Sequence, residues 1–325
     1  MAFINALPGA LAQGLIWGLV AIGIYISYKI LDIADLSVDG TFATGACVCV
    51  VMIANGVPVW ISMLLAFISG ALAGTVTGLL HTALGVPSIL AGILTQLGLY
   101  SINLQLIMDG RSNYPFTSIK FYTGNDFDPN SLLLRMNDKI TSIIVPLLFA
   151  VAVIVLLWLF VYTEVGLTIK STGDNPNMSK AQGINISFNK VVGLAISNGI
   201  VALAGSLLAQ YQGFADVGMG TGAIVVGLAA IFIGLSVSLK IKPNFVVSLI
   251  GVVGGSIVYY VIFTVVMLLG LHTNYLKLLS AIIVAIFLAV PYVKATYFKN
   301  RKQVRARTAE SAEKEEENAK NFGTL

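Results

Sequence analysis

Apolar runs of about twenty residues recur along this chain, separated by short polar stretches. A helix needs about 20 residues to cross the ~30 Å hydrocarbon core of a bilayer. The runs fall at 8–28, 37–55, 59–81, 88–107, 141–163, 191–209, 220–238, 244–268 and 275–293. Stretches such as "VAVIVLLWLFVY" and "SAIIVAIFLAV" are apolar on every face, whereas membrane β-barrels use alternating segments of about ten residues. The pattern predicts an all-α, polytopic membrane domain with nine transmembrane helices over residues 1–293 and a soluble tail over 294–325.

Composition points the same way, with 57% hydrophobic and 10% charged residues among 325, against about a quarter charged in soluble domains. The few charges set an orientation. Lys294, Lys299, Arg301, Lys302, Arg305 and Arg307 follow the last run with no acidic residue among them, and such an excess marks the cytoplasmic side. Counting back through nine crossings places the N-terminus outside. The loop 164–190 and "KIKPN" (240–244) then fall inside, and the charge-balanced loop 108–140 outside. No basic segment precedes the first run, which reads as a retained span and not a removable signal. The tail "TAESAEKEEENAKNFGTL" has no apolar face and is expected to be disordered. Cys47 and Cys49 share one apolar run and read as small packing residues, and no nucleic-acid partner is expected.

The chain also matches itself. Gly18, Val20 and Ala21 align with Gly199, Val201 and Ala202, an offset of 199 − 18 = 181, and the same offset aligns Ala34-Asp35 with Ala215-Asp216. Gly70 and Gly74 likewise align with Gly251 and Gly255. The repeat halves are 10–107 and 191–293. An odd number of crossings separates equivalent helices, so the halves are expected to be inverted, an arrangement common in transporters. "GALAG" (70–74) and "GVVGG" (251–255) are small-xxx-small patterns that let helices approach closely.

The polar loop "STGDNPNMSKAQGINISFNK" (171–190) predicts a short capped helix. Asn175 is placed to cap it and Pro176 suits its first position. Gly183 is placed to stop it in the left-handed conformation, and Asn185 or Ser187 to cap the next span. So short a helix is marginal by itself; it is either an ordinary solvated turn or a docking element for another protein.

Catalytic chemistry is not legible. No G-x-x-x-x-G-K-[ST] occurs, nor any Gly-Lys pair, so ATP must bind elsewhere. His81 and His272 stand alone, without metal-ligand spacing, and no nucleophile–base set can be named. "GMGTG" (218–222) reads as a break before the seventh run. Acidic residues inside spans are costly and mark functional candidates, and Asp39 is the foremost: it either caps its own helix beside Gly40 and Thr41 or lines a pathway. Asp35 and Asp216 are expected in water at opposite faces. Thr41, Thr44, Thr95, Gln96 and Asn103 are candidate pathway residues, each of which either lines the path or bonds a neighbouring helix. With so few buried charges, the path suits a neutral or zwitterionic solute.

The 163–184 segment resembles the cytoplasmic loop of permease subunits of ABC importers in the branched-chain amino acid and ribose permease superfamily. Their pattern, T-x-x-G-x-x-[IL]-[RK]-[AS]-x-G-x-N-P-x-x-[AS]-x-x-x-G-I, is met by Thr163, Gly166, Ile169, Lys170, Ser171, Gly173, Asn175, Pro176, Ser179, Gly183 and Ile184. "DLSVDGTFATGA" (35–46) resembles a branch described as tryptophan/tyrosine-type permeases. The resemblance covers about residues 10–293. It implies a type II-like importer fold working as a pair of permease copies, with Gly173, Asn175, Pro176, Ser179, Lys180, Gly183 and Ile184 coupling to a cytosolic ATPase subunit. ATP and Mg would sit on that ATPase, with no cofactor in this chain. An extracellular substrate-binding lipoprotein would dock on the long outer loop, with Tyr114, Phe116, Phe121 and Tyr122 as candidate contacts. The cargo it implies is an amino acid, aromatic or branched-chain. An ion-coupled secondary transporter and a passive channel stay open as alternatives.

Overall fold

The computed structural model describes residues 2–115, 141–238 and 244–268, with isolated helical positions between 278 and 289. Ten helices are described: α1 Ala2–Tyr25, α2 Val38–Ala54, α3 Val59–Thr82, α4 Ser88–Ile102, α5 Thr141–Val161, α6 Glu164–Asp174, α7 Pro176–Ala181, α8 Ile186–Gln212, α9 Ala223–Ser238 and α10 Phe245–Leu268. A π-helical turn extends α1 through Ile26–Ile30 and another extends α4 through Asn103–Ile107. Strands β1 Asn113–Pro115 and β2 Phe214–Asp216 pair antiparallel. These elements belong to one compact unit, residues 1–280. Of the second unit, 281–325, only Ala281, Ile282, Ala285 and Ala289 are described, each helical. Most of the expected ninth span and the tail lie outside the described residues.

Five of these helical segments are long and apolar enough to cross a membrane: Ala6–Ile30, Val59–Thr82, Ser142–Val161, Ile186–Gln212 and Phe245–Leu268. Helices α2 and α9 are apolar, with 17 and 16 described residues, and neither starts at an end of the bundle. After α1 the chain folds back inward. Leu31 lies against Gly193 in the second turn of α8, whereas Ser37 and Thr41 reach Asn198 near the middle of α8. From there α2 runs alongside the second half of α8, where Cys49 accepts a hydrogen bond from the Gln210 amide at 3.4 Å. On the opposite side, β2 leads into the turn 217–222, which dips inward to meet Asp39 and start α9. The N-termini of α2 and α9 therefore face one another inside the bundle.

Helix α8 is the central post. Helix α3 packs along it, α1 lies between α8 and α10, and α10 packs on α9. A Cβ at Gly70 would overlap the Ala202 methyl group and the Asn198 carbonyl, and one at Gly74 the Leu194 carbonyl. Only small residues allow helix backbones this close in lipid. The repeat-matched Gly251 and Gly255 face α9 instead, against Gly234 and Ala230. Both cysteines are fully buried and free. The outer surface carries Trp60, Leu64, Leu72, Leu148 and Leu156, all more than half exposed, an apolar exterior that suits lipid contact.

Candidate functional site

The polar loop folds into two helices, not one. Thr163 caps α6, its hydroxyl oxygen accepting from the Gly166 N–H at 3.2 Å. Asn175 caps α7, its side-chain oxygen accepting from the Met178 N–H at 3.0 Å, and Pro176 occupies the first position. Gly183 ends α7 with φ of 78°. The Gly183 N–H donates to the Lys180 carbonyl and the Ile184 N–H to the Ser179 carbonyl, the paired bonds of a left-handed helix stop. Asn185 then caps α8 by accepting from the Phe188 N–H at 3.1 Å. The sequence predicts α7 and leaves the cap of α8 between Asn185 and Ser187, which the structure decides for Asn185; it does not predict α6, although Thr163 is its capping signal.

Helix α6 is anchored inward. The Asn189 amide donates to the Thr172 hydroxyl at 2.9 Å, and Ile169 is buried against Leu31, Ile33 and Leu194. Gly173 touches the Ile30 carbonyl so closely that no side chain would fit there. Helix α7 is bound mainly through Ser179, which is buried, while Met178 and Lys180 are exposed, as is Phe188 at the start of α8. The chain therefore presents a capped rod with two apolar side chains free beside it.

Two polar clusters lie inside the bundle. In the first, Asp35 is 2% exposed, which corrects the expectation that it sits in water. Its carboxylate accepts from the Ser37 N–H at 2.8 Å, the Ser37 hydroxyl at 2.6 Å and the Asn198 amide at 2.7 Å. The Asn198 oxygen accepts from the Thr41 hydroxyl at 2.8 Å. Asn198 was not singled out in the sequence, although an asparagine inside an apolar span is a signal. Asp216, by contrast, is half-buried in β2 and accepts from the Gly218 N–H at 2.7 Å.

In the second cluster, Asp39 caps a helix, but α9 and not its own. One oxygen accepts from the Gly222 N–H at 2.9 Å and the other from the Ile224 N–H at 3.0 Å. A carboxylate at a helix N-terminus meets the positive end of the helix dipole, which offsets its cost in an apolar bundle. The "GMGTG" turn makes this possible: Gly220 touches the Asp39 carbonyl, and Gly222 has φ of 88°. Beside Asp39 is a cavity of about 110 Å³, lined also by Gln96 and Tyr100 of α4, Asn103 of the π turn and Thr221.

Of the candidate pathway residues, Asp39, Gln96 and Asn103 share this cavity. Thr41, Thr44 and Thr95 have other partners: Thr41 bonds Asn198, Thr44 donates to the Gly40 carbonyl at 2.9 Å, and Thr95 pairs with Thr77 at 2.9 Å. Tyr114 lies in β1, half-buried, with the Arg111 guanidinium 5.1 Å from its ring centre. Phe116, Phe121 and Tyr122 lie outside the described residues. Among the described residues no three His, Cys, Asp or Glu side chains form a metal-binding group.

Several apolar helices long enough to cross a membrane, packed around an inner cavity, describe a multi-pass membrane protein. Residues 7–290 match the family described as branched-chain amino acid transport system, permease component. The chain belongs to this family of ABC-type permeases, which makes it a transport subunit and not a catalytic enzyme. It is similar to the tyrosine transport system permease protein of Clostridioides difficile (strain R20291), 39% identical over 285 residues, 88% of this chain and 91% of that protein. An uncharacterized protein of Rickettsia prowazekii (strain Madrid E) is 31% identical over 88% of this chain and 97% of its own length. The autoinducer 2 import system permease protein of Enterobacter sp. (strain 638) is 30% identical over 62% of this chain and 55% of its own. No solved structure matches the chain.

Proposed function

We propose that this chain is the membrane subunit of an ATP-driven importer for an amino acid, with an aromatic one the first candidate. The observation that carries the proposal is the double-capped rod α7, whose Met178 and Lys180 stand exposed beside Phe188. A six-residue helix is marginal in water, and exposed apolar side chains beside it are what a groove on a cytosolic ATPase would cover. Family membership supports ATP-driven transport, and the tyrosine permease relative supports the substrate class. Gly173, Asn175, Pro176, Ser179, Lys180, Gly183 and Ile184 are the coupling residues in this proposal. Movement passes from α6 through Ile169 to Leu31 and Ile33, and so to the inward segment that ends at Asn198.

The proposed topology is nine spans, N-terminus outside and C-terminus inside, with inverted halves. Two pairings support it: α1 packs on α10 as its repeat counterpart α8 packs on α3. Two copies of the permease would work with two ATPase subunits. A binding lipoprotein would dock near β1 and the outer loop, where Tyr114, Phe116, Phe121 and Tyr122 are candidates.

Reconstitution of the chain in liposomes with an ABC ATPase subunit and a substrate-binding lipoprotein from the same organism tests the proposal. Uptake should require ATP hydrolysis. The double variant Gly183→Pro with Ser179→Trp should insert normally yet lose uptake. Normal uptake by that variant, or uptake that survives without the ATPase and collapses with the proton gradient, overturns the proposal.

A further inference from the structure

We infer that the cavity beside Asp39 recognises the zwitterionic head of an amino acid, the Asp39 carboxylate meeting the ammonium and the Asn103 amide the carboxylate; this deepens the importer proposal and rests on it.

The first observation is Asn103. It is fully buried, and neither its side-chain oxygen nor its nitrogen has a hydrogen-bond partner. Buried amides are nearly always satisfied, so such a group calls for an explanation. Asn103 lines the cavity and begins a π-helical turn, a distortion found frequently at functional sites. Its unsatisfied groups are one acceptor and an NH2 donor, so the solute that completes it must offer a polar group at that point.

The second observation is the charge arrangement. Each Asp39 oxygen accepts one backbone N–H, while a carboxylate provides about four lone-pair positions. Asp39 therefore retains acceptor capacity for an ammonium. Its negative charge is opposed by the positive N-terminal end of α9 and by that of α2, on whose first turn it sits. The empty cavity is thus close to charge-balanced. A phosphate would meet the Asp39 carboxylate, and a bare cation would find only one carboxylate already bonded twice. A zwitterion adds no net charge and satisfies both ends.

The remaining wall fits the rest of such a molecule. Leu97, Tyr100 and Val217 line the cavity beside the polar groups, giving an apolar surface for a side chain. The Gln96 amide is a second polar group on the Asn103 side. The volume, about 110 Å³, is below the roughly 300–1,000 Å³ of sites that enclose a whole drug-sized ligand, which suits a small head group and not an entire large solute.

The experiment uses the permease–ATPase–binding protein assembly in liposomes for uptake, and the purified permease–ATPase complex for thermal shifts. The probes are L-tyrosine, tyramine, which lacks the carboxylate, and 3-(4-hydroxyphenyl)propanoate, which lacks the ammonium. L-Tyrosine should stabilise the wild-type complex more than either analogue. Asn103→Leu should remove the advantage of L-tyrosine over tyramine and reduce uptake at least tenfold, while raising the melting temperature of the empty complex. Asp39→Asn should remove the advantage over the propanoate. Should Asp39→Asn fail to fold, Asn103→Leu decides alone: normal uptake, or a lower melting temperature without ligand, shows a merely structural amide and overturns the inference. Wild-type uptake of tyrosine with no difference among the three probes overturns it too, leaving the importer proposal standing. Absence of ATP-dependent uptake for every amino acid sinks the importer proposal and this inference together.

Discussion

Two polar clusters lie at the inner, N-terminal end of the same short helix, α2, and they differ in one respect. Around Asp35 and Asn198 every side-chain group that can bond is bonded, across three segments of chain. Around Asp39 the carboxylate is held by α9, yet Asn103 close by is buried with nothing to bond. A satisfied buried network holds helices in register; an unsatisfied buried amide destabilises the empty protein and persists where something else completes it. The first cluster is thus architecture, and the second is where we propose the site.

The contrast breaks most sharply at Asn198. Asn198→Leu strips a donor from a buried carboxylate and should cost about 3 kcal/mol, seen as loss of folded protein in a thermal-shift or size-exclusion assay. If that variant is as stable as wild type, the Asp35 cluster does not hold the bundle. The packing beside it is tested by Gly74→Val, which forces α3 away from the α8 backbone and should cost about 1–3 kcal/mol, measured as a lower melting temperature. The same substitution in the other cluster should have the opposite sign: Asn103→Leu removes an unsatisfied amide and should stabilise the empty permease by about 1 kcal/mol.

At the coupling end, Asn175→Ala removes one cap from α7. The change should cost about 1 kcal/mol locally, leave the melting temperature of the bundle nearly unmoved, and lower uptake together with ATPase stimulation by the binding protein. The smallest effect belongs to Thr95→Val, which deletes an interhelical hydroxyl bond of about 0.6 kcal/mol in lipid. A large fall in uptake with that variant, at unchanged stability, would place Thr95 on the solute path and blur the division drawn above.

Much of this was legible in the sequence for local reasons. The long spans follow from unbroken apolar runs, and α7 from Asn175, Pro176 and Gly183, whose backbone preferences act within a few residues. Helix α6 is not legible because "EVGLTIKSTGD" is short and its apolar residues mark no single face: Ile169 is buried, whereas Val165 and Leu167 are exposed. Asp35 was misplaced because a break between apolar runs looks like a solvated loop. Its burial depends on Asn198, 163 positions away. Asp39 stands out for its charge, but the N–H it accepts at the start of α9, that of Gly222, lies 183 positions further on.

The sequence by itself determined that the chain lives in a membrane, which segments form its long helices, and that one polar loop carries a capped rod, because apolar length, caps and turn residues act locally. Only the tertiary structure decided that α2 and α9 start inside the bundle and point at one another, and which acidic residue is enclosed and which faces a cavity. Those outcomes depend on polar groups far apart in the chain finding or failing to find partners where water is scarce, and no local pattern encodes that.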